Sequence, residues 1–180
     1  MKHDYDARHL NIEAFAKANG NIAASENLAQ FDRLLEEAQG AGPQNPVRFT
    51  AKGMTRPNGA TSEQIWLALG AEVDLPQTCQ RCLGPVDVPV SFEREFRFVA
   101  SEEVVAVEDE DSEEDVLVLS RDFNLLELLE DELLMALPVV PKHDVCPGAL
   151  KLQVSDPDFA GEEQDKPNPF AVLEQLKKTT

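Results

Sequence analysis

Leu28, Phe31, Leu34, Leu35 and Ala38 recur at steps of three and four, the spacing of one apolar helix face. Ser25 is placed to cap such a helix and Gly40 to stop it. A shorter helix is predicted from Asn11 through Phe15 to Gly20. After the turn-rich stretch GAGPQNP the period drops to two, with Val47, Phe49 and Ala51 on one face and Arg48, Thr50 and Lys52 on the other. A turn at 56–59 leads to a second strand over 63–70, and Val86, Val88, Val90 and Phe92, then Phe96 and Phe98, alternate again. Residues 116–119 read as one more short strand. Strands joined by short turns predict an antiparallel, strongly twisted sheet or partial β-barrel, because parallel crossovers need intervening helices that the pattern does not supply.

The strongest helical pattern comes next. Asn124 is a capping residue with Glu127 three positions on, a variant of the capping box. Leu125, Leu126, Leu128, Leu129, Leu133, Leu134 and Leu137 make a wide apolar face; Glu127, Glu130, Asp131 and Glu132 make the wet one, and Pro138 ends the helix. The expected fold class is therefore α+β, a sheet flanked by N-terminal, central Leu-rich and short C-terminal helices. The expected division is a single domain over 1–154, a flexible acidic linker over 155–167 and a terminal helix over 168–178. In that last block Asn168 caps, Pro169 sits at the first helical position, and Phe170, Val172, Leu173 and Leu176 form a stripe ahead of Lys177 and Lys178. A helix of about ten residues is marginal alone, so the stripe needs a surface to bury against, on this chain or on a partner.

Charge narrows the function classes. The 180 residues carry 34 Asp and Glu against 16 Lys and Arg, a net charge of −18, which excludes a basic protein that coats nucleic acid through its phosphates. The excess is concentrated in residues 101–165, with 20 acids and three bases, and above all in 102–115, where nine of fourteen residues are acidic. Self-repulsion at that density favours a loop, either simply solvated or serving as a docking segment for a basic partner. Apolar runs fall far short of the roughly 20 residues of a membrane span, and the charged start 1–6 lacks the apolar core of a signal peptide, so the expected location is the cytoplasm.

Candidate chemistry is confined to four residues. Cys79 and Cys82 form a CxxC pair, and His143 and Cys146 repeat the spacing downstream, so the four have the ligand types of a tetrahedral zinc site. Three readings stay open: a metal-free turn, a zinc or degenerate zinc site, and a redox pair. Gly84, Pro85 and a strand follow the CxxC where a thioredoxin-like motif would open a helix, which argues against the last. No Gly-rich phosphate loop, GxSxG or HExxH is present, and the expectation is a protein that is not an enzyme and needs no cofactor unless zinc is bound.

CQRCLGPVDVPV, then LLELLEDELLMALPVVPKHDVC, then KPNPFAVLEQLKK, in this order, resemble the YceD family of bacterial large ribosomal RNA subunit accumulation proteins, over about 78–178. The family's CxxC falls on Cys79 and Cys82, its LPVVP block on 137–141 and its C-terminal block on 166–173. Some relatives carry a fuller second cysteine cluster where this chain has Cys146 and His143. The resemblance implies a cytoplasmic ribosome biogenesis factor supporting synthesis, processing or stability of 23S rRNA. Joined to the charge, it predicts binding of a basic protein, a large-subunit ribosomal protein or an assembly or processing enzyme. The partner-binding residues would be Glu108, Asp109, Glu110 and Asp111 in the acidic segment and Pro167, Asn168, Pro169, Phe170 and Leu173 in the terminal block. One alternative is a zinc-binding or redox-responsive module built on the CxxC. A second is direct RNA contact through Arg48, Lys52 and Arg56, which otherwise read as an exposed strand edge.

Overall fold

A computed structural model describes residues 5–58, 62–108, 112 and 114–148. Its centre is an open five-stranded sheet in the order β1-β2-β3-β4-β5. The strands are β1 (Asn21–Asn27), β2 (Pro46–Asn58), β3 (Ser62–Thr78), β4 (Pro85–Val99) and β5 (Asp115–Val118). Alternation along β2 puts Val47, Phe49 and Ala51 on the buried side, and the register carries that side to Leu69 and Ala71 on β3. Leu67, Val73 and Leu75 continue it, joined from β4 by Val88, Val90, Phe96 and Phe98. Helices α1 (Ile12–Lys17), α2 (Asp32–Glu37) and α4 (Leu125–Met135) complete the core with Ile12, Phe15, Leu34, Leu125, Leu129 and Leu133. Phe15 packs directly on the sheet backbone: a Cβ at Gly20 or Gly53 would lie only 2.2 or 2.6 Å from its ring. Both positions therefore exclude side chains.

Two expected helices form where the pattern placed them. Asn11 caps α1 through a hydrogen bond from the Ala14 N–H, and Asn124 caps α4 through one from the Glu127 N–H. The helix expected from Ser25 does not start there. Residues 21–27 are strand β1, paired along β2, and a single 3-10 turn at Leu28–Gln30 separates it from the six-residue α2. Helical spacing in Leu28, Phe31 and Leu34 thus spans a turn and a short helix, and the strand was hidden by its small residues, which carry no apolar alternation beyond Ile22.

The α+β fold with an open sheet is as expected, and the sheet departs from the antiparallel pattern at one junction. The first three junctions are antiparallel, but β5 runs parallel to β4. The reason lies in the acidic segment expected as a loop: it opens as helix α3 (Glu102–Glu108), and a helix-bearing connection is what a parallel crossover requires. Glu102 and Glu103 sit in the first turn, where the helix dipole favours carboxylates, and Glu103 accepts hydrogen bonds from Ser101 and its own backbone that hold its carboxyl below the usual range. The linker at 155–167 and the terminal helix at 168–178 lie outside the described residues.

The face of α4 read as wet is also partly interior. Glu130 and Glu132 are 9% and 6% exposed. Glu130 accepts hydrogen bonds from the Arg33 and Leu34 N–H groups at 2.8 and 3.2 Å and from the Arg33 guanidinium at 3.1 Å. It therefore serves as the N-terminal cap that α2 lacks from its own sequence, since Phe31 stands at that position.

Candidate metal centre

The four candidate ligands come from two loops. β3 runs to Thr78 and β4 starts at Pro85, so Cys79 and Cys82 occupy the hairpin between them. The Cys79 N–H donates to the Gly84 carbonyl at 2.8 Å and the Leu83 N–H to the Cys79 carbonyl at 2.9 Å, closing a tight knuckle. Leu83 takes φ +58°, a left-handed conformation costly for a branched side chain, and is 77% exposed. Pro138 follows the end of α4, and the chain then returns beside the hairpin, where the Gln80 N–H donates to the Pro141 carbonyl at 2.9 Å.

This return brings His143 and Cys146 to the knuckle. One ligand atom from each of Cys79, Cys82, His143 and Cys146 lies within 4.8 Å of the other three. His143 Nδ1 is 3.4 Å from Cys82 Sγ, and the His143 N–H points at Cys79 Sγ from 3.5 Å. Cys79 is buried and the others half-buried; all three cysteines are free thiols. Burial alone pushes the Cys79 thiol up, but N–H groups of Cys82, His143 and Arg81 converge on its sulfur and bring it down to about 5. Burial pushes Cys146 up, as do its neighbours Cys82 and Cys79. A buried thiolate among further sulfurs and an imidazole suits a soft or borderline cation.

Tetrahedral zinc, with Zn–S bonds of roughly 2.3 Å, sets sulfurs about 3.8 Å apart, so a contraction of at most about an ångström would close the cluster on such an ion. Three sulfurs and one imidazole nitrogen fit that requirement. The CxxC lies between two strands and opens no helix, so the dipole that activates thioredoxin-like thiols is absent here.

The other candidate residues distribute differently. Glu108 closes α3 and is engaged by the Arg97 guanidinium, which also donates to Ser112 Oγ at 2.7 Å. Asp109, Glu110 and Asp111, and Pro167, Asn168, Pro169, Phe170 and Leu173, lie outside the described residues. Arg48, Lys52 and Arg56 share the outer face of β2, but Arg48 is paired with Glu72 and Arg56 with Glu95, both at 2.7 Å. Arg56 also lies 4.1 Å over the Trp66 ring. Lys52 alone of the three has no ion-pair partner among the described residues. Sequence reasoning missed Arg97, a cation 7% exposed that ties α3 to the sheet; its position among Glu93, Glu95 and Phe96 offered no signal of burial.

Residues 67–177 match the family model described as Large ribosomal RNA subunit accumulation protein YceD. The curated protein of that same description from Haemophilus influenzae is 33% identical over 109 residues, covering 59% of this chain and 62% of the relative. The chain thus aligns to somewhat less than two thirds of that relative's length. No solved structure matches. The matched region contains both halves of the sulfur and imidazole cluster, the acidic segment and α4.

Proposed function

This chain belongs to the YceD family, and on that footing we propose that it supports the accumulation of large-subunit ribosomal RNA by binding a basic protein, acting as a cytoplasmic binding factor and not as an enzyme. The observation that carries this reading is electrostatic. A net charge of −18, with residues 101–165 supplying most of the excess, repels a phosphate backbone and attracts the cationic surfaces of ribosomal proteins and RNA-processing enzymes. The cations on the outer face of the sheet are largely neutralised by Glu72 and Glu95, which leaves little to hold RNA directly. The test is retention of purified large-subunit ribosomal proteins and of naked 23S rRNA on the immobilised full-length chain across a salt gradient. Retention of a basic protein that falls steeply with salt is expected. Capture of the naked RNA as tightly as the protein would sink the proposal.

A second reading concerns the site. The close approach of Cys79, Cys82, His143 Nδ1 and Cys146 favours a structural zinc ion held by three thiolates and one imidazole. Such an ion supplies a cross-link between the β3–β4 hairpin and the segment after α4. With all four positions filled by protein it has no open position for substrate, so its role is to hold this end of the sheet in shape.

A further inference from the structure

Strand β1 is an edge of the sheet, and the hydrogen bonds flanking it fix which of its backbone groups are free. The Gly53 N–H donates to the Gly20 carbonyl at 3.0 Å and the Leu28 N–H to the Asn45 carbonyl at 2.9 Å. Both pairs continue the register of Asn21 opposite Lys52 and Asn27 opposite Pro46. Bonded pairs alternate along an antiparallel ladder, so Ile22, Ala24 and Glu26 bond to β2. The N–H and C=O groups of Asn21, Ala23 and Ser25 therefore point away from the sheet, with no backbone hydrogen bond to another described residue, whereas the Asn27 carbonyl is taken up by the 3-10 turn that follows. Edges are ordinarily blunted by lysine, proline, a bulge or brevity. The other edge, β5, is four residues long; β1 is seven, reads NIAASEN, and has neither lysine nor proline.

The surface beside this edge is shaped to accept side chains. Ala23 and Ser25 present small groups on the outer face, and an open trough of about 920 Å³ crosses that face over Thr50, Gly70 and Ser91. Its charged members are Arg48, already paired with Glu72, and Glu93, which has no ion-pair partner among the described residues. Glu93 and the neighbouring Lys52 offset each other on this face, so the preference for a cationic segment comes from the chain's net charge of −18.

We propose that the free edge of β1 accepts an extended, positively charged segment of a partner protein as a sixth strand, with main-chain bonds to Ala23 and Ser25 and alternate side chains directed over the trough. Main-chain bonds supply affinity in this mode and the alternating side chains supply selectivity. A second copy of the chain would bring another −18 charges to the same edge, so like-charge repulsion opposes it. The inference deepens the reading of a basic protein partner by giving that partner a conformation and a place to bind.

The test uses the full-length chain and a fluorescein-labelled decapeptide of alternating lysine and valine at physiological salt. Anisotropy reads binding and hydrogen exchange reads the amides of residues 21–27. Binding with added protection at Ala23 and Ser25 is expected, together with at least a tenfold loss for the same peptide N-methylated along its whole backbone, whose charge is unchanged. Ser25→Pro removes an outward N–H and leaves the bonds to β2 in place, so it should weaken binding to a similar degree. Equal binding of the methylated peptide overturns strand addition, as does protection confined to other segments. Protection of 21–27 that rises with protein concentration and no peptide assigns the edge to a second copy and overturns the proposal; so does equal binding of an alternating glutamate and valine peptide. Salt-sensitive binding indifferent to methylation would overturn the strand alone and leave the acidic partner-binding reading standing, whereas failure of basic ribosomal proteins to bind would remove that reading without touching the peptide result.

Discussion

Glu130 shows how one side chain changes meaning between sequence and structure. Its i, i+3 neighbours mark it as a solvent-facing acid, yet it caps a helix 96 residues away in the chain and pairs with Arg33 there. Glu130→Ala should cost about 2–3 kcal/mol in urea denaturation, since it strands two N–H groups and a charged partner at once. Glu130→Gln, which keeps one acceptor, should cost less. Glu132 behaves in the opposite sense. Burial pushes its carboxyl up; Arg94, 3.1 Å away, pulls it back, and Asp115 and Asp131 push it further. Its Oε2 has charge contact with Arg94 but no aligned hydrogen bond. A carboxyl raised in the folded state favours folding below its unfolded value near 4.5, and that contribution is lost as pH rises through the folded value. Glu132→Gln should therefore raise the Tm at pH 7 and flatten the fall of stability above pH 4.5, both read by thermal melts across pH. Leu83 carries strain with nothing buried in return, so Leu83→Gly should gain up to about 1 kcal/mol, checked by the same denaturation.

Among the elements, the β3–β4 hairpin and the chain after α4 meet through the Gln80 to Pro141 bond and through the contacts of His143 and Cys146 with Cys79 and Cys82. A metal ligated by all four side chains would tie the two segments together. Chelation of zinc-loaded protein should lower the Tm by about 4–8 °C, the shift expected for a loss of about 2 kcal/mol in a chain of this size. Cys82→Ser should abolish the bound zinc found by elemental analysis and remove the chelator's effect. The two loops are separated by more than 50 residues, so CxxC and HxxC were visible as motifs while their meeting was not. Asn11 and Asn124, by contrast, act on their own helices, and local caps are legible because donor and acceptor lie three residues apart. Strand β1 was illegible for the converse reason: its pairing with β2 decides its conformation, and NIAASEN has no strong preference to announce it.

For the whole molecule the governing quantity is charge. Raising salt from about 50 to 300 mM shortens the Debye length from about 14 to about 6 Å, and association with a basic partner should weaken at least tenfold over that range, mainly in the on-rate. Stopped-flow binding to a purified basic ribosomal protein would measure both. The sequence by itself determined this charge and its concentration in one region, the sheet-forming alternation of β2 to β4, the Leu-rich α4 and the family resemblance, because each is a property of composition or of neighbours a few residues apart. Tertiary structure alone decided that β5 lies parallel to β4, that Glu130 and Arg97 are interior, that Arg48 and Arg56 are neutralised, and that three sulfurs and an imidazole share one corner. Those outcomes depend on which distant segments pack together, and packing is selected by the burial of the whole core, which no local pattern encodes.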